Sequence, residues 1–575
     1  MSHSPRELYP KIAGGRLGGL PILRHFFDLL QIRRAIDSHC PPSPTMKITH
    51  GEAIEGLLFS IFHGDHRLYC VNELLDQYDL KVLFGRKDIE AGQFHDERLG
   101  KGLDAFNLSA KAILGDVSAH GLRLLGKPVK ALIPDTTSIS VYGEDYEEKV
   151  KEDTPFAFPI FGFSKDHRPD LRQIVVNLMT TVFGFPVDGD VLDGNASDVE
   201  TFRDDLDSMA ALPWVKEKTP MIGDSKLFTF PTILKASNLG IPIITITPET
   251  LKIREQLIRE FSRKSDLPLL LKTESGESYH GASVTLPYSF EEKGKPPKTV
   301  WLRFLVVHSS QLAATKAEGR KILRQKEATR LEKWAKKLGK HKFACEADAR
   351  KYTEKEWKLE KASFHDMSIG ITRVETQGKR KRGRPSADAV SLPPEISYQV
   401  TCTFSERAQE ESAWDPDGMF VLTTTIADQR SKTDLEILEA YRSRDVVEKN
   451  FQWMKGPLAL APIFLKTPSR IRALGFVFIL ALQIFALIQN LFREAMKTWG
   501  ETSPHPGRKR SKAPTTRGIL EVMRFVDFVI VQMNGRTQII WRGFNAPQME
   551  ILAILGLQDL YIRKIAAVYG DNPGK

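Results

Sequence analysis

The stretch Val129–Ser138, VKALIPDTTS, decides the fold. Its apolar beginning predicts a short buried strand that ends at Asp135 and is followed by hydroxyl-bearing residues. Two strand-like runs come next, Leu171–Thr181 and Phe185–Leu192, and the Phe-Gly pair between them is a good hairpin signal. The chain therefore begins a β-sheet after Pro128.

Helices and strands alternate in the following segment. Ser197 and Asp198 cap a predicted helix, and Pro220–Gly223 is a buried-type strand ending at Asp224. A second helix and the strand Ile241–Ile246 complete the pattern. The predicted order is three strands followed by a helix, a strand, a helix and a strand. This is the order of a ribonuclease-H-like core, so the predicted fold class is α/β (α+β).

This order of elements predicts where the two aspartates lie. In such a core the first strand lies beside the fourth, so Asp135 and Asp224 are expected side by side near one sheet surface. Two-metal phosphoryl-transfer chemistry uses carboxylates in this arrangement, because hard oxygen ligands hold divalent cations. Each aspartate taken alone could equally cap a turn or a helix. The predicted core order favours the metal-binding interpretation.

A second signature lies downstream, Tyr441-x2-Arg444-x3-Glu448-x6-Lys455. On a single helix at about 100° per residue, the four side chains fall within an arc of about 60°. This face carries a ring, two cations and one carboxylate, a set suited to binding nucleic-acid phosphates beside a metal ligand. The same residues could also have purely structural roles. Glu448 could form an i−4 ion pair with Arg444, the cations could form a solvated helix face, and Tyr441 could pack in the core.

The segment between Asp224 and Glu448 (448 − 224 = 224 positions) is too long for one connection, so it predicts an insertion domain at 250–425. Its stretch Thr315–Leu359 has helical spacing, whereas Pro287–His308 and Ile396–Thr425 are β-rich.

A basic stretch interrupts the insertion, Gly378–Pro385 (GKRKRGRP). Its glycines, proline and lack of apolar residues predict a flexible loop. Arg382 and Arg384 could enter the minor groove of A·T-rich DNA, or the stretch could be a charged linker.

The flanking segments complete the predicted organisation. Residues 1–125 are predicted to be a helical domain, from helical spacing over Ile48–Asp76 and a Thr49-x-x-Glu52 capping box. That domain could recognise DNA ends or only pack against the core. The catalytic core is expected over 126–249 and 426–500, and a basic linker with a small C-terminal domain over 501–575.

Composition restricts the class of protein. A chain of 575 residues is long enough for several domains, and its net charge of +10 favours a polyanionic partner. Four scattered cysteines without CxxC spacing argue against a zinc site and a disulfide framework, and for a cytoplasmic location. The apolar run Leu474–Ile488 contains Gln483 and is short for a bilayer, so we expect a buried helix and no membrane partner.

Three blocks together resemble the catalytic blocks of bacterial insertion-sequence DDE transposases: Asp135–Ser138, Gly223–Lys226 and the Tyr441–Lys455 signature. More narrowly, the chain resembles the branch that carries the Y-x2-R-x3-E-x6-K signature and a β-rich insert before the glutamate. Gly162–Leu171 (GFSKDHRPDL) is similar to a further block of that branch. The resemblance covers roughly 128–490. It departs at Ser225, where many relatives have arginine.

The resemblance implies a DNA transposase that binds the ends of an insertion sequence, nicks them, and joins the freed 3′-hydroxyls to target DNA. It implies two Mg²⁺ ions, with Mn²⁺ as a substitute, and double-stranded DNA as partner, bound by a homodimer in the synaptic complex of a bacterial cytoplasm. The metal-binding catalytic residues would be Asp135, Asp224 and Glu448, and the DNA contacts Tyr441, Arg444 and Lys455, joined by Arg382 and Arg384.

Two other functions remain open at this stage. A nuclease on the same core would cleave DNA without strand transfer. A non-catalytic DNA-binding protein derived from a transposase is the alternative from a different class, and the intact carboxylate trio argues against it. An RNA-binding protein would explain the positive charge but not the trio.

Overall fold

The computed structural model describes residues 11–569, except 143–145, 147–153, 166–167, 216–217, 291–296, 360, 377–393, 408–411, 457, 459, 461–462 and 534–535. Its α-helices are Leu20–Leu29 (α1), Ile32–His39 (α2), His50–Phe62 (α3), Leu68–Leu75 (α4), Leu80–Phe84 (α5), Asp96–Leu125 (α6), Asp198–Ala211 (α7), Phe230–Asn238 (α8), Lys252–Ser262 (α9), Ser310–Gly339 (α10), Glu346–Leu359 (α11), Asp434–Arg442 (α12), Asp445–Lys455 (α13), Pro468–Trp499 (α14), Thr516–Val522 (α15), Ala546–Ile554 (α16) and Leu560–Tyr569 (α17).

The strands are Lys11–Arg16 (β1), Leu132–Val141 (β2), Arg172–Thr181 (β3), Pro186–Asp193 (β4), Met221–Gly223 (β5), Ile243–Ile246 (β6), Leu269–Lys272 (β7), Ser278–Phe290 (β8), Lys298–Ser309 (β9), Lys342–Phe343 (β10), His365–Thr376 (β11), Glu395–Glu406 (β12), Met419–Thr424 (β13), Ser503–His505 (β14), Lys509–Ser511 (β15), Asp527–Met533 (β16) and Arg536–Arg542 (β17). The chain forms two compact units, one of residues 1–248, 285–303 and 423–575, the other of 249–284 and 304–422. Residues 285–303, inside the predicted insertion, thus belong to the first unit.

The first unit contains a sheet with the order β4-β3-β2-β5-β6. Strands β2, β3 and β4 run antiparallel, whereas β5 is parallel to β2 and β6 is parallel to β5. The helices α7 and α8 interrupt the chain before β5 and β6. This is the ribonuclease-H-like topology, so the predicted fold class is confirmed.

The predicted end of the first strand at Asp135 is wrong. Strand β2 continues to Val141, because Asp135–Val141 pairs residue by residue with Arg172–Leu178 of β3. Asp135 therefore lies in the middle of a strand. The hairpin between β3 and β4 is as expected, with Gly184 at a φ of +81° that favours glycine.

Helix α14 is the centre of the first unit's core. It packs against α6 and β4, and every residue from Ala473 to Gln489 is buried. By length and composition it could cross a membrane, but its most apolar stretch is wholly buried inside the protein. The amide nitrogen of the polar Gln483 is satisfied there, because Nε2 donates to Ser118 Oγ at 2.8 Å and to Pro186 O at 3.1 Å.

The two ends of the chain meet in a second sheet. Strand β1 pairs antiparallel with β16, which pairs with β17. Residues 501–575 are therefore tied to the N-terminal segment, and sequence patterns alone did not indicate this. The basic linker expected within 501–575 would lie at Ser503–Pro514, but β14 and β15 form a short hairpin there and Ser503 is buried.

The second unit has its own small core. Trp334 and Leu338 of α10 pack with Ala349 of α11 and Val400 of β12. Strands β10, β12 and β11 form an antiparallel sheet in that order. The expected helical and β-rich segments of the insertion are thus both present.

Candidate active site

Two aspartates lie on neighbouring strands of the first unit. Leu132 of β2 is in register with Met221 of the parallel strand β5. Asp135 and Asp224 each follow three residues later, so the register brings them to the same level of the sheet. Asp224 is fixed locally, because its Oδ1 accepts a hydrogen bond from Lys226 N at 2.9 Å and its carbonyl oxygen accepts one from Thr245 Oγ1 at 2.5 Å.

Asp135 has a perturbed acidity. Burial raises the pKa of its carboxyl group to about 6, and the nearby charge of Asp224 acts in the same direction. Lys165 and the Thr136 backbone N–H oppose this rise, the lysine Nζ at 4.0 Å and the amide at 2.8 Å from Oδ1. The second carboxylate makes this part of the sheet electronegative, and a cation bound there would be stabilised.

The Tyr441–Lys455 signature spans two helices, so the prediction of a single helix is wrong. Helix α12 ends at Arg442 and α13 begins at Asp445, with Arg444 as its N-cap residue. Arg444 then contacts both neighbours in the signature: Nη1 donates to Tyr441 Oη at 3.4 Å, and Nη2 lies 3.4 Å from Glu448 Oε1. Burial lowers the pKa of Arg444, but Tyr441 and the surrounding carboxylates raise it further, so the side chain stays cationic.

Several of these groups line an open cleft of about 690 Å³. The helix α13 packs on β2 and β3, which brings its cleft-facing residues over the aspartates. Tyr441 lies behind Arg444 and does not line the cleft. The residues that line it are Asp135, Thr136, Thr137, Lys165, Asp224, Lys226, Arg444, Glu448, Phe451, Gln452, Lys455 and Gly456.

The carboxylates of Asp135, Asp224 and Glu448 do not form a three-ligand metal site in this structure. Within the residues that the structure describes, no group of three or more His, Cys, Asp or Glu side chains is close enough to hold a metal ion. Asp135 and Asp224 form the close pair, while Glu448 is half-exposed and paired with Arg444. The donor chemistry fits a divalent cation, because the pair offers hard oxygen ligands.

A network of lysines beside the acidic pair was not predicted from the sequence. Lys165 Nζ donates to Thr136 O at 2.6 Å and to Thr136 Oγ1 at 2.7 Å, and Thr136 Oγ1 donates to Asp198 Oδ1 at 2.5 Å. Lys226 Nζ also binds Asp198. Burial raises the pKa of Asp198, but these hydrogen bonds outweigh it and the net pKa is lowered. Asp198, expected only as a helix cap, therefore holds two lysines at the cleft.

The sequence offered a partial signal for this network. Lys165 lies in the Gly162–Leu171 block, and Lys226 follows Asp224 by two residues, but nothing local connects either to Asp198. The basic-loop residues Arg382 and Arg384 lie outside the described residues.

Comparisons with known proteins give little beyond this geometry. Residues 14–117 match the family model described as a domain of unknown function (DUF4277), which covers less than half of the chain. No curated protein matches the chain. Among solved structures, the chain is similar to a cryo-EM structure of the piggyBac transposase synaptic complex with hairpin DNA. The TM-score is 0.36 at 9% identity, over 98% of this chain and 89% of that one. So low a TM-score carries no argument; the ribonuclease-H-like core rests on the strand order itself.

Proposed function

We propose that this protein is a DDE-type DNA transposase of a bacterial insertion sequence, acting in the cytoplasm. It would bind the terminal inverted repeats, cleave them by metal-dependent hydrolysis, and join the 3′-hydroxyl ends to target DNA. The observation that carries this proposal is the cleft in which Asp135, Asp224 and Glu448 meet the cations Arg444 and Lys455 on a ribonuclease-H-like sheet.

The charges of the cleft suit a phosphodiester substrate. Lys165, Lys226, Arg444 and Lys455 line it together with three carboxylates. Cations at these positions would hold the phosphates on either side of the scissile bond, and charge-assisted contacts of this kind dominate DNA affinity. Tyr441 would support the chemistry indirectly, by stacking under Arg444, whose guanidinium carbon lies 5.5 Å from the ring centroid.

The carboxylates supply the metal-binding chemistry of the proposal. Asp135 and Asp224 would hold Mg²⁺ or Mn²⁺, with Glu448 as the third ligand after exchange of its ion pair with Arg444. Bound divalent ions lower the pKa of water and stabilise charge on the oxygens of an in-line displacement. The protein's own contribution is to fix the aspartates by strand register and to keep the α13 carboxylate on the same cleft.

The test is cleavage and joining of a duplex that carries the inverted repeat flanking the gene, in Mg²⁺, by wild type, Glu448→Ala and a matched control. Glu439→Ala is that control, since Glu439 is an exposed acid of α12 outside the cleft. We expect joined product from wild type and the control, and a loss of at least about a thousandfold in Glu448→Ala, the scale seen when a catalytic group is removed.

The other outcomes separate the competing functions. Cleavage without joined product would favour a nuclease on the same fold. Tight binding of the repeat without chemistry by any of the three proteins would favour a DNA-binding derivative. A synaptic complex that contains two protein chains, measured by light scattering with the duplex, would support the proposed homodimer.

A further inference from the structure

The hairpin of β11 and β12 in the second unit leaves one long strand at the edge of its sheet. Strand β11 has 12 residues, His365–Thr376, and among the strands that the structure describes it pairs with β12 alone. The backbone N–H and C=O groups on the open side of such a strand form a row of unused donors and acceptors. A further strand would satisfy them by extending the sheet.

Other sheet edges of this protein carry features that prevent edge pairing. Strand β10, at the opposite edge of the same sheet, has 2 residues and begins with Lys342. Strand β4 begins with Pro186, and its register with β3 is interrupted. Short strands, lysine, proline and bulges all prevent edge pairing. Strand β11 contains neither proline nor lysine and follows one uninterrupted register with β12, so its edge is open to a partner.

An apolar groove beside this edge enlarges the surface that a partner strand would contact. The groove lies between α11 and β11 and has a volume of about 630 Å³. Its apolar lining residues pack on the core of the second unit and are only half-buried: Met367, Ile369 and Ile371. A strand added to the edge would cover these side chains with its own, which removes apolar surface from water.

The sequence of β11 is complementary to itself when two copies run antiparallel about Gly370. With Gly370 opposite the same residue of a second copy, Ile369 lies opposite Ile371 and Ser368 lies opposite Thr372. Pairs of β-branched residues and pairs of hydroxyl residues both stabilise antiparallel sheets. Each of these pairs occurs twice, once on either side of the two-fold axis.

The charges at the groove suit the same register. Arg350 of α11 pairs with Glu346 at 2.8 Å, whereas Glu354, which also lines the groove, has no ion pair among the described residues. Arg373 of the second copy would come opposite Met367, in the lining of this groove. Its present partner is Glu375 of its own strand, an exposed pair of the weak surface kind, so exchange for Glu354 costs little.

We propose that the second unit forms a homodimer in which β11 pairs antiparallel with β11 of a second copy of the chain, centred on Gly370. The two sheets of three strands become one sheet of six strands, and the apolar residues of both grooves form one continuous face. Because the contact is two-fold symmetric, each copy satisfies the open edge of the other. One strand pair is a small interface, so we expect a dimer that dissociates on dilution. The pairing requires no DNA and is independent of the proposed function.

Register-specific disulfide formation tests the pairing in the full-length chain. Ser368→Cys and Thr372→Cys, both at exposed positions, are made as separate proteins and mixed under mild oxidation. Residues directly opposite each other have Cβ atoms about 5 Å apart, which a disulfide bridges after a small adjustment. We expect the mixture to form the 368–372 disulfide, identified by mass spectrometry apart from any bond of the native cysteines. Each variant alone should give only a trace, because its two cysteines would lie about 13 Å apart.

A shifted pair is the control for this trapping experiment. Thr376, also exposed, lies four residues beyond Thr372, so a mixture of Ser368→Cys with Thr376→Cys should give no more than a trace of the mixed disulfide. Equal yields from the two mixtures, or no disulfide from either, would overturn the proposed register and interface.

A charge swap on the exposed face measures the contribution of this interface to association. Ser368→Glu with Thr372→Glu places like charges opposite each other on both sides of the axis, whereas Ser368→Lys with Thr372→Glu places opposite charges there. Sedimentation velocity without DNA gives the dimer dissociation constant, and circular dichroism checks that both variants are folded. We expect the constant of the double-glutamate variant to exceed that of the lysine–glutamate variant by about tenfold or more. A monomeric wild type at all concentrations, or equal constants in the two folded variants, would refute the pairing.

Discussion

Each unit of the molecule contains a buried acid on a helix, and the two acids are in opposite states. Asp205 of α7, in the first unit, is 4% exposed, and burial raises the pKa of its carboxyl group to about 8. Glu327 of α10, in the second unit, is 9% exposed, yet the pKa of its carboxyl group is lowered to about 2. Burial alone therefore does not decide the charge.

The difference lies in the supply of hydrogen-bond donors. Glu327 accepts from Ser363 N at 2.9 Å and Phe364 N at 2.8 Å, and its Oε1 lies 3.0 Å from His365 Nδ1. These contacts outweigh the burial that would raise the pKa. Asp205 receives only the Asn177 Nδ2 donor, at 2.6 Å, and its Oδ2 has no partner among the described residues.

Asp135 of the cleft lies between these extremes. Burial and Asp224 raise its pKa to about 6, while Lys165, the Thr136 N–H and Arg444 oppose the rise. Of the two buried acids above, Glu327 is fully hydrogen-bonded and Asp205 is neutral. At Asp135, by contrast, opposing influences place the pKa between the values of those two acids. Such intermediate environments are typical of functional acids, because a cation or a phosphate can change their state.

The largest expected effect is in the second unit. Glu327→Gln removes the charge from three hydrogen bonds, so we expect it to destabilise that unit by about 2 kcal/mol. Hydrogen exchange at residues 363–365 measures this, with Glu332→Gln on the exposed side of the same helix as control. Because the folded pKa of Glu327 is depressed below the ordinary value of 4.5, the stabilisation is present above pH 4.5 and is lost as the pH falls through about 2. Unchanged exchange in Glu327→Gln would show that the charge is not needed.

The opposite pH dependence is expected for Asp205. Its folded pKa is raised from 3.8 to about 8, so its contribution to stability is fully present below pH 3.8 and is lost as the pH rises through 8. Between pH 7 and 8 the loss is about 1 kcal/mol. Asp205→Asn, neutral at every pH, should abolish this part of the fall in thermal stability, whereas Asp204→Asn, at an exposed neighbour, should retain it. The same alkaline slope in wild type and Asp205→Asn would mean that Asp205 is ionised at neutral pH.

The smallest expected effect is a change in the pKa of Asp135. Lys165→Met removes an opposing positive charge, so the pKa of Asp135 in the metal-free protein should rise above its value of about 6. Carboxyl ¹³C NMR of aspartate-labelled protein measures this, with Lys449→Met on the exposed side of α13 as control. Addition of Mg²⁺ to wild type should lower the pKa. A fall or no change in Lys165→Met would show that the lysine does not act on this carboxyl group.

Sequence patterns predicted the structure correctly where it depends only on residues near one another in the chain. The hairpin at Phe183-Gly184 and the capping box at Thr49 are present as expected, because each depends on residues within a few positions. The break of the signature helix at Ser443 and the extension of β2 past Asp135 were missed. Neither a proline nor a glycine marks them, and in the second case a partner strand determines where the strand ends.

The sequence by itself determined the order of core elements, and with it the adjacency of Asp135 and Asp224, because strand order follows from which segments can be strands. Only the tertiary structure decided that β1 pairs with β16 and that Asp198 binds both Lys165 and Lys226. It also decided that Gly162 and Gly194 lie against Gln173. These contacts join residues far apart in sequence. Their energies depend on distances and burial that no short stretch of the chain encodes.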